Sequence, residues 1–148
     1  MQLRFYGPPM DSYFTPKERT YLLGQGLGRL ATLGPDGVPN IRPVGFRLND
    51  DGSIDIGGPD NARSRKFRNA KGHPHVSFVV DDLTPEDEPD AVAPGWGRGV
   101  EIRGRAELIV VDVPPLSPDF FSRDVIRIHP ERIVSWHIEG QGNHARNT

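Results

Sequence analysis

The chain has 148 residues, with 18 Lys and Arg against 20 Asp and Glu, and no Cys. That length suits one domain with its own core. The missing cysteines exclude disulfides, thiolate metal sites and a cysteine nucleophile, and no apolar run approaches the roughly 20 residues of a membrane helix.

Gly (17) and Pro (15) together exceed a fifth of the residues, which points to turns and short strands rather than long helices. The cations are 15 Arg and 3 Lys, a bias typical of a GC-rich bacterial genome. The first residues contain no apolar segment of a secretory signal, so the expectation is a cytoplasmic protein without a membrane partner.

Residues 1–14 read as an irregular arm. "TPKE" (Thr15–Glu18) has the form of a capping box with Pro at the first helical position. It predicts a short helix over Pro16–Gln25 with Tyr21 and Leu22 turned inward. "GQGLG" (Gly24–Gly28) follows as a turn; no strand precedes it, so it is not a dinucleotide fingerprint. A hairpin comes next, turning at "GPDG" (Gly34–Gly37) and returning over Val38–Leu48. "SIDIGG" (Ser53–Gly58) alternates as a third strand, and "HVSFVVDD" (His75–Asp82) is a fourth. The acidic, Pro-rich stretch Leu83–Gly97 reads as a solvated loop. Arg98–Asp112 is a long fifth strand with a bulge at Gly104. Asp124–Pro130 and Glu131–Glu139 complete the set, with Trp136 expected in the core. A polar tail, residues 141–148, is expected to fray. The architecture implied is mainly β, a small split β-barrel of six or seven antiparallel strands spanning residues 15–140.

Between the third and fourth strands lies "NARSRKFRNAKGHP" (Asn61–Pro74), with five cations and no acid in an otherwise slightly acidic chain. Read as one helix capped by Asp60 or Asn61, it puts Arg63 and Lys66 on the same face as Ala62, Phe67 and Ala70. A cation on a core-facing side calls for an anion. A helix start with two preceding glycines, Gly57 and Gly58, is a natural phosphate cradle. The alternative is a solvated helix that serves solubility. Nucleic acid is disfavoured, because the chain is not basic and no aromatics interleave with the charges.

"SRKFRNAKGHPHVSFVV" (Ser64–Val80) resembles the helix-then-strand segment of the pyridoxamine 5′-phosphate oxidase superfamily, the flavin-reductase-like split barrels. "IRPVGFR" (Ile41–Arg47) resembles that family's cofactor strand, and "VEIRGRAEL" (Val100–Leu108) is similar to a later one. The resemblance covers about Leu22 to Leu108, with "IRIHPERIVSW" (Ile126–Trp136) typical of shorter members. It implies that Arg65 and Lys66 grip a cofactor phosphate. Arg42 and Arg47 would be strand cations, Pro43 and Val44–Phe46 would lie along the ring system, and Gly57 and Gly58 would sit beside the phosphate tail. It also implies a homodimer with the cofactor between subunits. Where FMN-using oxidases carry a polar pair and a Gln, this chain has Gly57-Gly58 and Gly99. Short chains with "GRLATLGPDGVPNIRPVGF" (Gly28–Phe46) look most like the actinobacterial branch, which is thought to bind the deazaflavin coenzyme F420.

The expected function is therefore a hydride-transferring oxidoreductase that uses F420 on a small organic substrate. The alternatives are an FMN-dependent oxidase or reductase, and a non-catalytic carrier of the cofactor, of haem or of another tetrapyrrole. Trp96, set between glycines, and the pair Arg127 and His129 are candidates for substrate contact. His73 and His75 lack a third ligand, so no metal is expected.

Overall fold

The computed structural model describes residues 13–148. Most of the expected N-terminal arm, residues 1–12, lies outside the described residues. Thr15 caps α1 (Pro16–Leu23) through a complete capping box with Glu18. Tyr21 and Leu22 are buried, and the helix ends two residues before the expected Gln25. Strands follow as β1 (Gly28–Leu33), β2 (Pro39–Val44), β3 (Arg47–Leu48) and β4 (Ile54–Ile56). The expected return strand over Val38–Leu48 is thus two strands, broken at Gly45-Phe46. After a 3₁₀ turn over Asn61–Arg63 come α2 (Arg65–Gly72), β5 (His75–Leu83), β6 (Gly97–Val110), β7 (Asp124–Trp136) and β8 (Asn143–Asn147).

The strands form one antiparallel sheet in the order β2-β1-β5-β6-β7-β4-β3, with β8 paired to the second half of β7. Long β6 and β7 carry the architecture. β5 pairs with the first part of β6, and β4 pairs with Ile126–Ile128 of β7. The core runs through the sheet as Leu30, Phe78, Ile102, Ile133, Ile128, Ile126, Ile54 and Ile56, all nearly or fully removed from water. Burying each such side chain contributes about 2 kcal/mol. This is the expected split barrel.

Two expectations fail at the C-terminal end. The final residues form β8 instead of a frayed tail. Arg146 pairs with the fully buried Glu18 of α1, which also accepts from Ser135 Oγ at 2.7 Å. Two separate strands were expected over Asp124–Glu139, but β7 is continuous. Its register slips opposite Arg103/Gly104, the expected bulge. A Cβ at Gly104 would lie 2.4 Å from the His129 carbonyl oxygen, so the bulge needs glycine. The slip also changes which face alternate residues occupy. Ile126 and Ile128 point inward before it, Ile133 and Ser135 after it. Trp136 is therefore half-buried on the outer face, not in the core.

Candidate functional site

The basic segment is two pieces, not one helix. Ser64 is the N-cap of α2; its Oγ accepts from the Phe67 N–H at 3.3 Å and donates to the Asn61 carbonyl at 2.6 Å. Asp60, with a left-handed φ of 49°, makes no capping bond with its side chain. Asn61 is buried and ties the segment together. Its amide donates to the Ile56 and Asp124 carbonyls, and its N–H donates to Ser122 Oγ at 3.0 Å. The wheel started from Ala62 therefore fails for Arg63, because the turn over Asn61–Arg63 is not α-helical. Arg63 points into solvent and lies 3.7 Å from the Asp60 carboxylate.

Lys66 remains where both lines of reasoning placed it. It is half-buried at the start of α2, and an ideal Cβ on Gly58 would sit 3.2 Å from its Nζ and 3.1 Å from Asn61 Oδ1. Burial holds the Lys66 ammonium below the usual lysine range. Among the described residues no carboxylate pairs with it. A desolvated ammonium beside a helix start, over a buried glycine pair, is an arrangement that can receive an anion. Gly57 is closed on its other side, where a Cβ would meet Phe121 and Pro115 at 3.0–3.3 Å. Arg65 does not converge with Lys66. It is exposed and lines a separate groove with Arg68 and His73.

The strand segment offers backbone more than side chains. Val44 and Phe46 are buried, Phe46 packing edge-on against Phe78 with ring centroids 5.3 Å apart. Arg42 and Pro43 are exposed on β2, an edge strand. Gly45 lies between them and the core, and a Cβ there would be 2.4 Å from Leu116 Cδ1. The β6–β7 connection thus lies over Gly45 through Leu116 and over Gly57 through Pro115 and Phe121.

Two candidate ligand cations are already occupied. The fully buried Asp55 receives Arg47 at 2.9 Å and a bidentate Arg127 at 2.8 and 2.9 Å. Burial alone would raise the Asp55 carboxyl; the bonds from Arg127 and Arg47 outweigh it and hold the group below the usual carboxylate range. His129 Nε2 is 2.9 Å from Glu107 Oε1 on the same outer face. Arg127 and His129 share a strand face as expected, but both have protein partners.

Trp96 is 69% exposed at a shallow pocket with Pro94, His137 and Gln141, distant in sequence and on other elements than Lys66. The acidic stretch before it is not simply solvated. Asp82 and Glu88 clasp Arg98, Tyr21 donates to Asp82 at 2.8 Å, and the Arg98 guanidinium lies 5.0 Å over the Tyr21 ring. Burial and the Asp82 carboxylate both push the Tyr21 phenol up. Sequence reasoning missed this cluster, because its members lie up to 77 residues apart, from Tyr21 to Arg98. Gly99 also acquires a reason. A Cβ there would meet the Trp136 ring at 2.6 Å and the Val80 carbonyl at 2.7 Å. No Gln fits at 99 while Trp136 holds that space.

The comparisons with known proteins agree with this geometry. The family model described as pyridoxamine 5′-phosphate oxidase matches residues 14–137. A 5a,11a-dehydrotetracycline/5a,11a-dehydrooxytetracycline reductase of Streptomyces rimosus is 46% identical over 138 residues, 90% of this chain and 92% of the relative. Among solved structures, a conserved hypothetical protein of Mycobacterium tuberculosis superposes with a TM-score of 0.63 at 25% identity, covering 86% of this chain and 87% of its own. A heme binding protein of Mycobacterium smegmatis gives 0.65 at 21% identity, covering 88% of this chain and 56% of its own. The match from Phe14 to His137 takes in the cradle under Lys66, the bulged β6–β7 pair and most of the core: the chain belongs to the pyridoxamine 5′-phosphate oxidase family.

Proposed function

We propose that this chain is an oxidoreductase that uses the deazaflavin coenzyme F420 to reduce a small, oxygen-rich ring compound. Oxidoreduction is the coarser reading, supported by the family match and by the reductase relative. The observation that carries it is the Lys66 ammonium, half-buried over Gly58 and with no carboxylate partner among the described residues. That cradle fits the phosphate of a flavin-type cofactor. Lys66 would hold the phosphate, with the buried Gly57-Gly58 backbone close beside it. The backbone at Gly45, partly covered by Leu116, would lie along the ring system, and Arg42 on the neighbouring edge strand would meet further negative charge. Arg47, tied to Asp55, would stiffen this strand rather than bind.

When bound, a deazaflavin supplies a hydride, two electrons at once. The residues of this chain orient the ring and exclude water; no acid–base pair is needed beside them. A second copy of the chain is proposed to complete the site along the exposed edge strand β2.

FMN is the second reading, favoured by the family's oxidase members. Against it stand Gly57-Gly58 in place of a polar pair and the Trp136 ring where the FMN enzymes carry Gln. Parallel titrations with F420, FMN and haemin decide among them. The expected order is the deazaflavin at micromolar or tighter affinity, FMN much weaker and haemin weakest. Lys66→Ala should weaken the deazaflavin about 30-fold, the loss of a charge-assisted contact of about 2 kcal/mol. Equal binding by Lys66→Ala would remove the phosphate cradle from the reading, and tighter binding of FMN would replace the coenzyme.

A further inference from the structure

The β6–β7 connection, residues 111–123, touches all three glycines of the proposed cofactor strip. The Ser122 N–H donates to the Gly58 carbonyl at 3.0 Å, and Ser122 Oγ donates to the same oxygen at 3.2 Å. Pro115 and Phe121 close one side of Gly57. At Gly45 an ideal Cβ would stand 2.4 Å from Leu116 Cδ1 and 3.9 Å from its Cγ. Carbon atoms rest about 3.5–4.0 Å apart, so a Leu116 methyl already fills the place of a side chain at 45. A flat ring cannot lie against that side of the Gly45 backbone while Leu116 stays there.

The two halves of the connection are held differently. Its neck is closed by the Val111 N–H, which donates to the Arg123 carbonyl, and by Arg123 Nε, which donates to the Val111 carbonyl, both at 2.9 Å. The second half is hydrogen-bonded. The Phe120 and Phe121 N–H groups both donate to the Ser117 carbonyl at 2.8 Å, and Ser122 is tied to Gly58 and Asn61. The first half, residues 112–116, makes no backbone–backbone hydrogen bond among the described residues. Pro114 and Pro115 have no N–H to give, and their fixed φ keeps the piece stiff. Packing holds it: Pro114 is buried, Pro115 rests on Gly57 and Leu116 on Gly45. A segment without backbone bonds opens more cheaply than the sheet beneath it. Ser117, at a left-handed φ of 44°, marks the junction between the halves.

We infer that residues 112–116 are a gate over the cofactor strip, with Leu116 as its plug. The free chain keeps Leu116 on Gly45, and a ring enters as Leu116 leaves. The inference rests on the proposed reading of Gly45 and Lys66 as the cofactor site. It gives the two ends of the connection different roles. A phosphate at Lys66 meets the end fixed by Ser122 to Gly58 and needs no motion. A ring at Gly45 meets the loose half. Leu116 competes with the ring for one place, so it governs the rate of entry rather than the rate of departure.

Stopped-flow fluorescence with F420, and with FMN as a second ring-bearing probe, reads entry and departure separately. Leu116→Ala should speed association about tenfold and leave dissociation unchanged. A lock tests the same point. The chain has no Cys, so Gly45→Cys with Leu116→Cys supplies its only thiols. Leu116 Cγ lies 3.9 Å from an ideal Cβ at 45, within reach of a disulfide after a small shift. Oxidised, the double variant should bind at least tenfold more weakly than when reduced, because the open fraction is lost. Its reduced form is the control for the added side chain. Lys66→Ala separates the gate from the reading beneath it. If Lys66→Ala weakens both probes while Leu116→Ala changes neither rate, the cofactor site stands and the gate is overturned. Faster dissociation alone in Leu116→Ala would make Leu116 a wall of the bound state, which also overturns the gate. Binding to Leu116→Ala but not to wild type would support it. Binding to neither protein would overturn gate and cofactor site together.

Discussion

Asp55 and Lys66 are both charged groups withdrawn from water, and they differ in what meets them. Asp55 is fully buried and held by two guanidiniums; Lys66 meets no carboxylate among the described residues. The first is therefore structure, and the second is proposed as site. Asp55→Asn should destabilise the fold by about 3–5 kcal/mol, because two arginines lose their shared carboxylate. A urea melt reads this directly, with a lower midpoint at unchanged slope. "SIDIGG" places Asp55 off the core face by alternation, but nothing in that string shows Arg47 and Arg127 closing over it. Both arginines read as ligand cations in the sequence for that reason. Lys66 was legible because its neighbours Phe67 and Ala70 mark the face it shares. Arg63 was misplaced because a 3₁₀ turn does not advance by the helical angle.

At the scale of elements, α1 and β8 hold each other through one acid. Glu18 starts as a capping residue, accepting at Thr15, and then receives Ser135 and Arg146. Burial pushes the Glu18 carboxyl up, and the bonds from Arg146, Ser135 and Thr15 bring it below the usual range. The sign follows. A carboxylate whose folded value is depressed, as for Glu18 and Asp55, contributes its stability fully above the unfolded value near 4 and loses it as pH falls through the folded value. Stability should thus be flat between about pH 7 and 5 and fall steeply below about pH 4. Glu18→Gln should flatten part of that acid limb and cost about 3 kcal/mol at neutral pH, both read from denaturant midpoints across pH. Removing residues 141–148 should cost a similar amount, since it strips Arg146 from the same acid. The capping box announced α1 in four letters. β8 has no such signal: "NHARN" is polar, and the groups that dock Arg146, Glu18 and the Tyr13 carbonyl among them, are distant in the sequence. The bulge at Gly104 was legible as a lone glycine in a strand, but its effect on facing was not, and so Trp136 fell on the wrong side.

On the scale of the molecule, the barrel was legible because hairpin signals recur along the chain and the apolar residues alternate. The contact of Leu116 with Gly45 was not, because it joins segments far apart in the sequence. Val38 and Ile41 on the β1–β2 hairpin and Val113 and Phe120 on the β6–β7 connection stay 55–69% exposed. That connection already reaches Gly45 through Leu116. Exposed apolar side chains gathered on two neighbouring segments are a candidate subunit interface. Sedimentation should give the mass of two 16.4-kDa chains. Ile41→Asp with Phe120→Glu should give a folded single chain, with unchanged circular dichroism, that binds the deazaflavin at least tenfold more weakly. A monomeric wild type, or a monomeric double variant with full coenzyme affinity, would mean that one copy holds the cofactor alone and that these apolar side chains serve another contact.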